Sequence, residues 1–338
     1  MGLKVMHPGL YTSVQDLGRP GYRSYGVPVG GAADPLALRL ANLLVGNEED
    51  TAGLEFTLAG PALSFTEETV AALCGAPFEA TLAGQPVPFH RPFVAKRGAR
   101  LTIGAAVAGC RGYLAVAGGI RVPEVLGSRS TYVRGGFGGL DGRLLREGDV
   151  LETGEGVVQT DRLRDRVLRY ALSAGWLPYG GWMKDGPVTL RVLAGKETGW
   201  FTREALDRFH GREYAVRAES DRMGVRLAGP ALAVKDRTLM GRMISEGVSC
   251  GAVQVPPDGQ PIVLLADSQT TGGYPRIAHV ITVDIPLLAQ LRPGSRVRFQ
   301  PVSMEQAHRL LFERETDLQR LKTAISGRLG GGRSQAIR

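Results

Sequence analysis

Cysteine is almost absent: the 338 residues include three, Cys74, Cys110 and Cys250, far apart and in no paired motif. That argues against a disulfide framework and fits a reducing compartment. Histidine is as scarce, with five residues (His7, His90, His210, His279, His308) that show no metal-ligand spacing among themselves or with cysteine, so no metal site is predicted. No apolar run approaches the ~18 residues of a membrane span, and the N-terminus lacks a basic-then-apolar leader pattern. The expectation is a cytoplasmic protein with no membrane partner. Two catalytic signatures are also missing. There is no Gly-x-Ser-x-Gly elbow for a serine nucleophile, and no Lys-Ser/Thr of a nucleotide-binding P-loop follows the N-terminal glycines. Cys250 sits beside Gly251 without an evident histidine partner, so covalent catalysis is not expected. The net charge is +8, but the basic excess is scattered, densest at 161–169 and after Arg309. Aromatic residues do not alternate with it as a base-stacking groove requires, so no nucleic-acid partner is predicted.

Glycine, by contrast, is plentiful. The chain has 47 glycines and 20 prolines spread among short Val/Leu/Ile/Phe runs. Many turns joining short strands predict a mainly β fold with some α. The hexapeptide Leu-Ala-Gly-Pro-Ala-Leu occurs at 58–63 and again at 227–232. Gly-Gln-Pro follows each, at 84–86 and 259–261, and each is followed by a glycine turn and Arg-apolar strand start, at 97–101 and 293–297. Three markers in one order predict two related β-rich lobes. We divide the chain into an N-terminal β-rich lobe at 1–155, a linker with a short amphipathic helix at 156–187, a C-terminal lobe at 188–310, and a tail at 311–338, helical then disordered from Gly327. The linker helix is read from Leu163, Val167, Leu168, Ala171 and Leu172, and a second helix from 303–323.

The two copies differ in one place. From Gly-Gln-Pro to the later glycine is 14 positions in the first and 35 in the second, 21 more. The additional residues include Asp267, Ser268, Gln269, Thr270, Thr271, Gly272, Gly273, Tyr274, Pro275 and Arg276. They follow an apolar run of strand length at 262–266, introduced by Asp258-Gly259 and Pro261. A core strand that ends in amides, a carboxylate, hydroxyls and glycines presents hydrogen-bonding groups at a pocket mouth. The same residues would also serve as a polar surface turn. His279 then opens a further strand and 285–291 reads as a short helix.

Near the N-terminus Gln15, Asp16 and Arg19 stand among glycines, followed by Gly30-Gly31 and Asp34-Pro35. Asp34 is placed to cap a helix at 36–44 with Pro35 in its first turn. The glycines before it could receive an anion. Gly135-Gly-Phe-Gly-Gly-Leu-Asp-Gly-Arg143 does not fit the dinucleotide fingerprint and reads as a flexible turn. Asp221-Arg222 has two readings, a local surface pair or a contribution, with Ser245-Glu246-Gly247 and Gln254, to the 267–276 loop.

Taken together, Thr-Ser-Val-Gln-Asp-Leu-Gly-Arg-Pro-Gly at 12–21, Ala-Leu-Arg-Leu-Ala-Asn-Leu-Leu-Val-Gly-Asn at 37–47, Tyr-Leu-Ala-Val-Ala-Gly-Gly-Ile at 113–120, Ser-Asp-Arg-Met-Gly at 220–224 and Gln-Thr-Thr-Gly-Gly-Tyr-Pro-Arg-Ile-Ala at 269–278 resemble the biotin-dependent carboxyltransferase family, also called the allophanate hydrolase subunit 2 or KipA-like family. Its members include the C component of 5-oxoprolinase. The resemblance implies cyclophilin-like β-barrel lobes. It implies two partners, the KipI-like B component and the A component of 5-oxoprolinase, and ATP-dependent opening of 5-oxo-L-proline to L-glutamate, with ATP held by this chain or a partner. A homo-oligomer of the heteromer is compatible with it. Under it Asp267, Glu246 and Gln269 are candidate catalytic residues. Candidate substrate-binding residues are Gln254, Thr270, Thr271, Gly272, Gly273, Tyr274, Arg276, Asp221, Arg222, Gln15, Asp16 and Arg19. Where relatives commonly carry serine or cysteine this chain has Gly30, so no hydroxyl or thiol role carries over there. Two alternatives remain: a carboxyltransferase component moving a carboxyl group from biotin to an amide, though no biotin-attachment motif is present and biotin is not required in the leading reading, and a regulator that binds a kinase inhibitor.

Overall fold

The computed structural model describes residues 2–154, 164, 167 and 186–329. Apart from 164 and 167, the expected linker helix lies outside the described residues. The protein is mainly β, and its contacts divide into two compact units that do not follow one another simply in sequence. The first comprises Met1–Gly18, Asp34–Pro178 and Glu315–Arg338; the second comprises Arg19–Ala33 and Tyr179–Arg314. Residues 19–33, placed with the N-terminal lobe on composition, therefore go with the second unit.

The first unit holds β1 (Gly2–His7), β2 (Thr12–Gln15), β3 (Gly53–Thr57), β4 (Ala62–Phe65), β5 (Thr69–Gly75), β6 (Phe78–Leu82), β7 (Gln85–Pro86), β8 (Pro92–Ala95), β9 (Arg100–Ala106), β10 (Arg111–Val116), β11 (Ile120–Arg121) and β12 (Val150–Thr153). Seven make one sheet, in the order β11-β12-β1-β4-β9-β6-β7, and five another, β2-β3-β10-β5-β8. β10 is buried at every residue. Helix α1 (Pro35–Leu44) packs on it and on β5. Phe56 of β3 meets Phe78 of β6 edge to face, with centroids 4.9 Å apart, and so ties the two sheets together.

Local chemistry starts α1 as expected: Asp34 accepts from the Ala37 N–H at 3.0 Å, and Pro35 opens the first turn. The Asp34 N–H itself donates to the Tyr113 hydroxyl at 2.8 Å, and that hydroxyl donates to Glu55 at 2.7 Å. Burial and the neighbouring Glu55 charge push the Tyr113 phenol well above its usual range, so it stays a donor. Tyr113→Phe removes a partner from a buried carboxylate and from the helix cap at once. It is expected to cost about 1–3 kcal/mol in urea unfolding, and an unshifted midpoint would refute this role. In the glycine-rich turn at 135–142 the backbone approaches itself closely at Gly142. A Cβ on Gly142 (φ +67°) would fall 2.2 Å from the Gly136 backbone, because the loop folds back on itself.

The second unit holds β13 (Val188–Ala194), β14 (Tyr214–Val216), β15 (Gly224–Ala228), β16 (Glu246–Gly247), β17 (Ala252–Gln254), β18 (Ile262–Leu264), β19 (Thr271–Gly272), β20 (Arg276–Val280) and β21 (Arg296–Pro301), with α2 (Arg203–Gly211), α3 (Thr238–Arg242) and α4 (Ile285–Ala289). Seven strands close a barrel in the order β13-β20-β17-β18-β15-β14-β21. Its pairs are antiparallel except β13–β21. Leu190, Val192, Val225, Val253, Val263 and Phe299 fill its core, and Phe209 of α2 stacks on Phe299 at 4.4 Å. β16 and β19 form a separate two-stranded ribbon.

The repeated markers occupy different elements. The first hexapeptide spans the β3–β4 turn, whereas the second begins in β15 and runs out of the barrel. The glycines before β9 and β21, Gly98 and Gly294, do share a positive φ. The last helix, α5 (Met304–Leu329), runs past the expected end at 323 and past Gly327. Arg39 of α1 grips its Glu315 through two hydrogen bonds of 3.0 and 2.7 Å. Among the described residues no helix is long and apolar enough to cross a membrane.

Candidate functional site

β18 and the fully buried Leu265 hold the chain in the barrel up to Ala266. Beyond it Asp267 turns inward, where Arg222 meets it: Nε donates to one carboxylate oxygen at 2.8 Å and Nη2 to the other at 3.0 Å. Both side chains are at least nine-tenths buried. A buried fork-to-fork pair of this kind fixes geometry as well as neutralising charge. Arg222 Nη2 also donates to the Gly31 carbonyl at 2.6 Å, and the Gly30 N–H reaches the Ala266 carbonyl at 3.2 Å. The segment 19–33 is thereby strapped to the loop. Arg19, fully buried, lies in that strap, and a Cβ on Gly30 would sit 3.5 Å from its guanidinium and 3.7 Å from Asp267. Position 30 thus faces the ion pair, and here it carries no side chain.

The rest of the loop is organised by the ribbon. Glu246 and Gly247 of β16 pair with Gly272 and Thr271 of β19. Just beyond the ribbon, Arg276 donates from Nε and Nη2 to Glu197 at 2.7 and 2.6 Å, and from Nη2 to Glu246 at 2.8 Å. Lys196 holds Glu246 from the other side at 2.6 Å. Burial opposes the Glu197 anion, but the Arg276 hydrogen bonds outweigh it and hold that carboxyl below its usual range. Hydrogen bonds from Lys196 and Arg276 do the same for Glu246. Gln254, buried at the end of β17, accepts from the exposed Gln269 at 3.2 Å. A Cβ on Gly272 would come within 2.5 Å of the Gln254 amide nitrogen, so the ribbon lies directly on that side chain.

The structure therefore gathers Gln254, Gln269, Gly272, Glu246 and Arg276 around one ribbon, with Asp267, Arg222 and Arg19 beside the strap. Thr270 is buried and its carbonyl accepts from the Val248 N–H at 3.0 Å. Thr271 is exposed and so is Tyr274, at 43%. Gly273 lies beside Ser245. Asp221 and Arg222 do not make the surface pair that their adjacency suggested: Asp221 is exposed and accepts from the Met223 and Gly224 N–H groups. Gln15 and Asp16 belong to the first unit. There Asp16 accepts from the hydroxyls of Ser128 and Ser130 and from the N–H groups of Gly18 and Arg129. Gln15 donates to Ser13 and to the Thr131 carbonyl at 2.9 and 3.2 Å. Burial pushes the Cys250 thiol up to about 12, a poor nucleophile at neutral pH. Burial lowers His279 from its ordinary value.

Residues 25–301 match the family described as carboxyltransferase domain, subdomain A and B. The chain belongs to that family. Among relatives of this carboxyltransferase-domain protein, the C component of 5-oxoprolinase from Escherichia coli (strain K12) is 41% identical over 97% of the chain and 98% of its own length. The protein of the same name from Haemophilus influenzae is 37% identical over 93% and 95%. The structure of the Kluyveromyces lactis urea amidolyase superposes with a TM-score of 0.86 at 33% identity; the match covers 94% of this chain and 20% of that one. A solved structure titled TTHA0988 gives a TM-score of 0.76 at 36% identity, over 88% and 55%.

Sequence reasoning missed Lys196 and Glu197 in this carboxyltransferase-domain barrel. Two charges after an apolar strand look like any solvated turn. Their partners are distant, Glu246 at 50 positions from Lys196 and Arg276 at 79 from Glu197, beyond the reach of any local pattern.

Proposed function

We propose that the chain is the C component of an ATP-dependent 5-oxoprolinase that opens 5-oxo-L-proline to L-glutamate together with the A and B components. The observation that carries the reading is the Gln254–Gln269 amide pair beneath the ribbon, in a chain that covers nearly the full length of two relatives bearing that name. A lactam is a cis amide, with its N–H and C=O on one edge. Because the Gln269 NH2 donates to Gln254, the Gln269 carbonyl is left to accept from the lactam N–H. The exposed Thr271 and Tyr274 hydroxyls are donors for the carbonyl oxygen.

A five-membered lactam is a poor electrophile. Once its carbonyl oxygen is phosphorylated, water attacks the carbon and the C–N bond breaks with a proton going to nitrogen. The acyl phosphate so formed gives up its phosphate to a second water, leaving glutamate and inorganic phosphate. Donors around the carbonyl then stabilise the charge that develops. Glu246 is held by Lys196 and Arg276 but, unlike the buried Asp267, is reached by solvent, so we assign it the proton from attacking water. Asp267 has both oxygens on Arg222 and is assigned to holding the loop. The donor set here does not fit a triphosphate. Arg222 and Arg276 are each matched by carboxylates, which would compete with phosphate for the same N–H groups. No step through ATP is placed on this site, and the nucleotide is assigned to a partner protein of the complex.

A second reading, a carboxyltransferase component, is favoured by the urea amidolyase match. The ureido ring of biotin has the same cis N–H and C=O edge as a lactam, so the Gln254–Gln269 pair suits it equally. Avidin separates the two readings, since it would block a biotin-dependent transfer and leave lactam hydrolysis intact. In the complex reconstituted with the A and B components, Gln269→Ala is expected to lower kcat/KM for glutamate and ADP formation by about 100-fold. Full turnover by an assembled variant complex would overturn the assignment.

A further inference from the structure

Arg276 reads, from sequence, as a candidate substrate-binding residue. In the structure its guanidinium is already committed. Nε and Nη2 bond Glu197, Nη2 also bonds Glu246, and Nη1 donates to the Gly247 carbonyl at 3.2 Å, using four of the five N–H groups that a guanidinium offers. The Glu197 carboxylate, 4% exposed, additionally accepts from the Arg276 backbone N–H at 3.0 Å. It follows β13, which pairs with β20 through Val192, Leu193 and Ala194. Glu197 is therefore anchored to the barrel wall and grips the start of β20 by main chain and side chain together.

From that grip a continuous path leads to the amides. Arg276 carries Glu246 and Gly247; these pair with Gly272 and Thr271; Gly272 lies on the Gln254 amide; and Gln254 holds Gln269. We propose that Glu197 is a positioning residue for the reaction: through Arg276 it sets the height of the β16–β19 ribbon over Gln254 and so the aim of the Gln269 amide. It touches no reacting atom. The inference rests on the 5-oxoprolinase reading for what the amides bind. Where the ribbon sits does not depend on that reading.

Two measurements on the full chain test it. Hydrogen exchange of Glu197→Gln should show the amides of 246–248 and 270–272 exchanging at least about 10-fold faster, with Val253 and Val263 in the barrel unchanged. In the complex with the A and B components, Glu197→Gln should reduce kcat/KM for 5-oxoproline by about 100-fold, mainly through KM. Glu197→Asp, which keeps the charge, should recover part of it. Mere loss of folded protein would instead lower kcat and leave KM alone. Unchanged ribbon exchange overturns the inference whatever the turnover. A loosened ribbon with full turnover, in a complex whose wild type is active, overturns the role in the reaction. If the wild-type complex is itself inactive toward 5-oxoproline, the functional reading fails, and the exchange result still decides whether Glu197 sets the ribbon.

Discussion

Asp267→Ala is expected to cost the chain about 3–5 kcal/mol of stability, the largest effect we foresee for a single substitution in the second unit. The cause is the environment of Arg222, whose side chain is 5% exposed. Removing the carboxylate takes the Asp267 charge away from a desolvated guanidinium, and that costs more than the pair itself is worth. Arg222→Met combined with Asp267→Leu is expected to recover part of the loss, because position 222 then carries no buried charge, while the buried Arg19 guanidinium stays beside the strap. Urea unfolding of the two variants measures both statements. An Asp267→Ala midpoint equal to wild type would mean that the pair does not hold the strap at 19–33 to the loop. Recovery by the double variant would identify the lone charge, rather than a lost contact, as the source of the damage.

Gly272→Ala should separate activity from stability. The added methyl would fall 2.5 Å from the Gln254 amide nitrogen and 3.3 Å from a Val248 methyl. The nitrogen lies at the end of a flexible side chain, which can swing aside, so the folding cost is expected to stay near about 1 kcal/mol. The catalytic cost is expected to be far larger, since the displaced amide is the one that holds Gln269. A shift of this size predicts about a 100-fold drop in kcat/KM. Thermal unfolding and steady-state kinetics of the same preparation read the two effects. Undiminished kcat/KM would remove Gln254 from the site.

Several elements follow from local chemistry and were legible in the sequence. The Asp34-Pro35 cap starts α1, and the apolar run at 262–266 ends where the polar loop begins. The glycine and proline density gives many short strands. The family motifs led to the fold, and the longer second copy pointed to the loop at 267–276. Other features depend on contacts that no periodicity encodes. Residues 19–33 join the second unit through hydrogen bonds from Gly30 to Ala266 and from Arg222 to Gly31, the latter across 191 positions. The Glu197–Arg276 grip is of the same kind. The fold also gave Arg222 and Arg276 carboxylate partners that spacing alone could not name. The close approach of the backbone at Gly142 to Gly136 within the glycine-rich turn is likewise not encoded in any periodicity.

As the proposed C component, this chain is required for lactam opening in company with the A and B components of 5-oxoprolinase. The direct test measures glutamate and ADP from 5-oxo-L-proline with those two components purified, with and without this chain. Stoichiometric glutamate and ADP are expected when the chain is present, insensitive to avidin, with a loss of glutamate when it is left out that adding the chain back restores. Equal glutamate formation without the chain would contradict it.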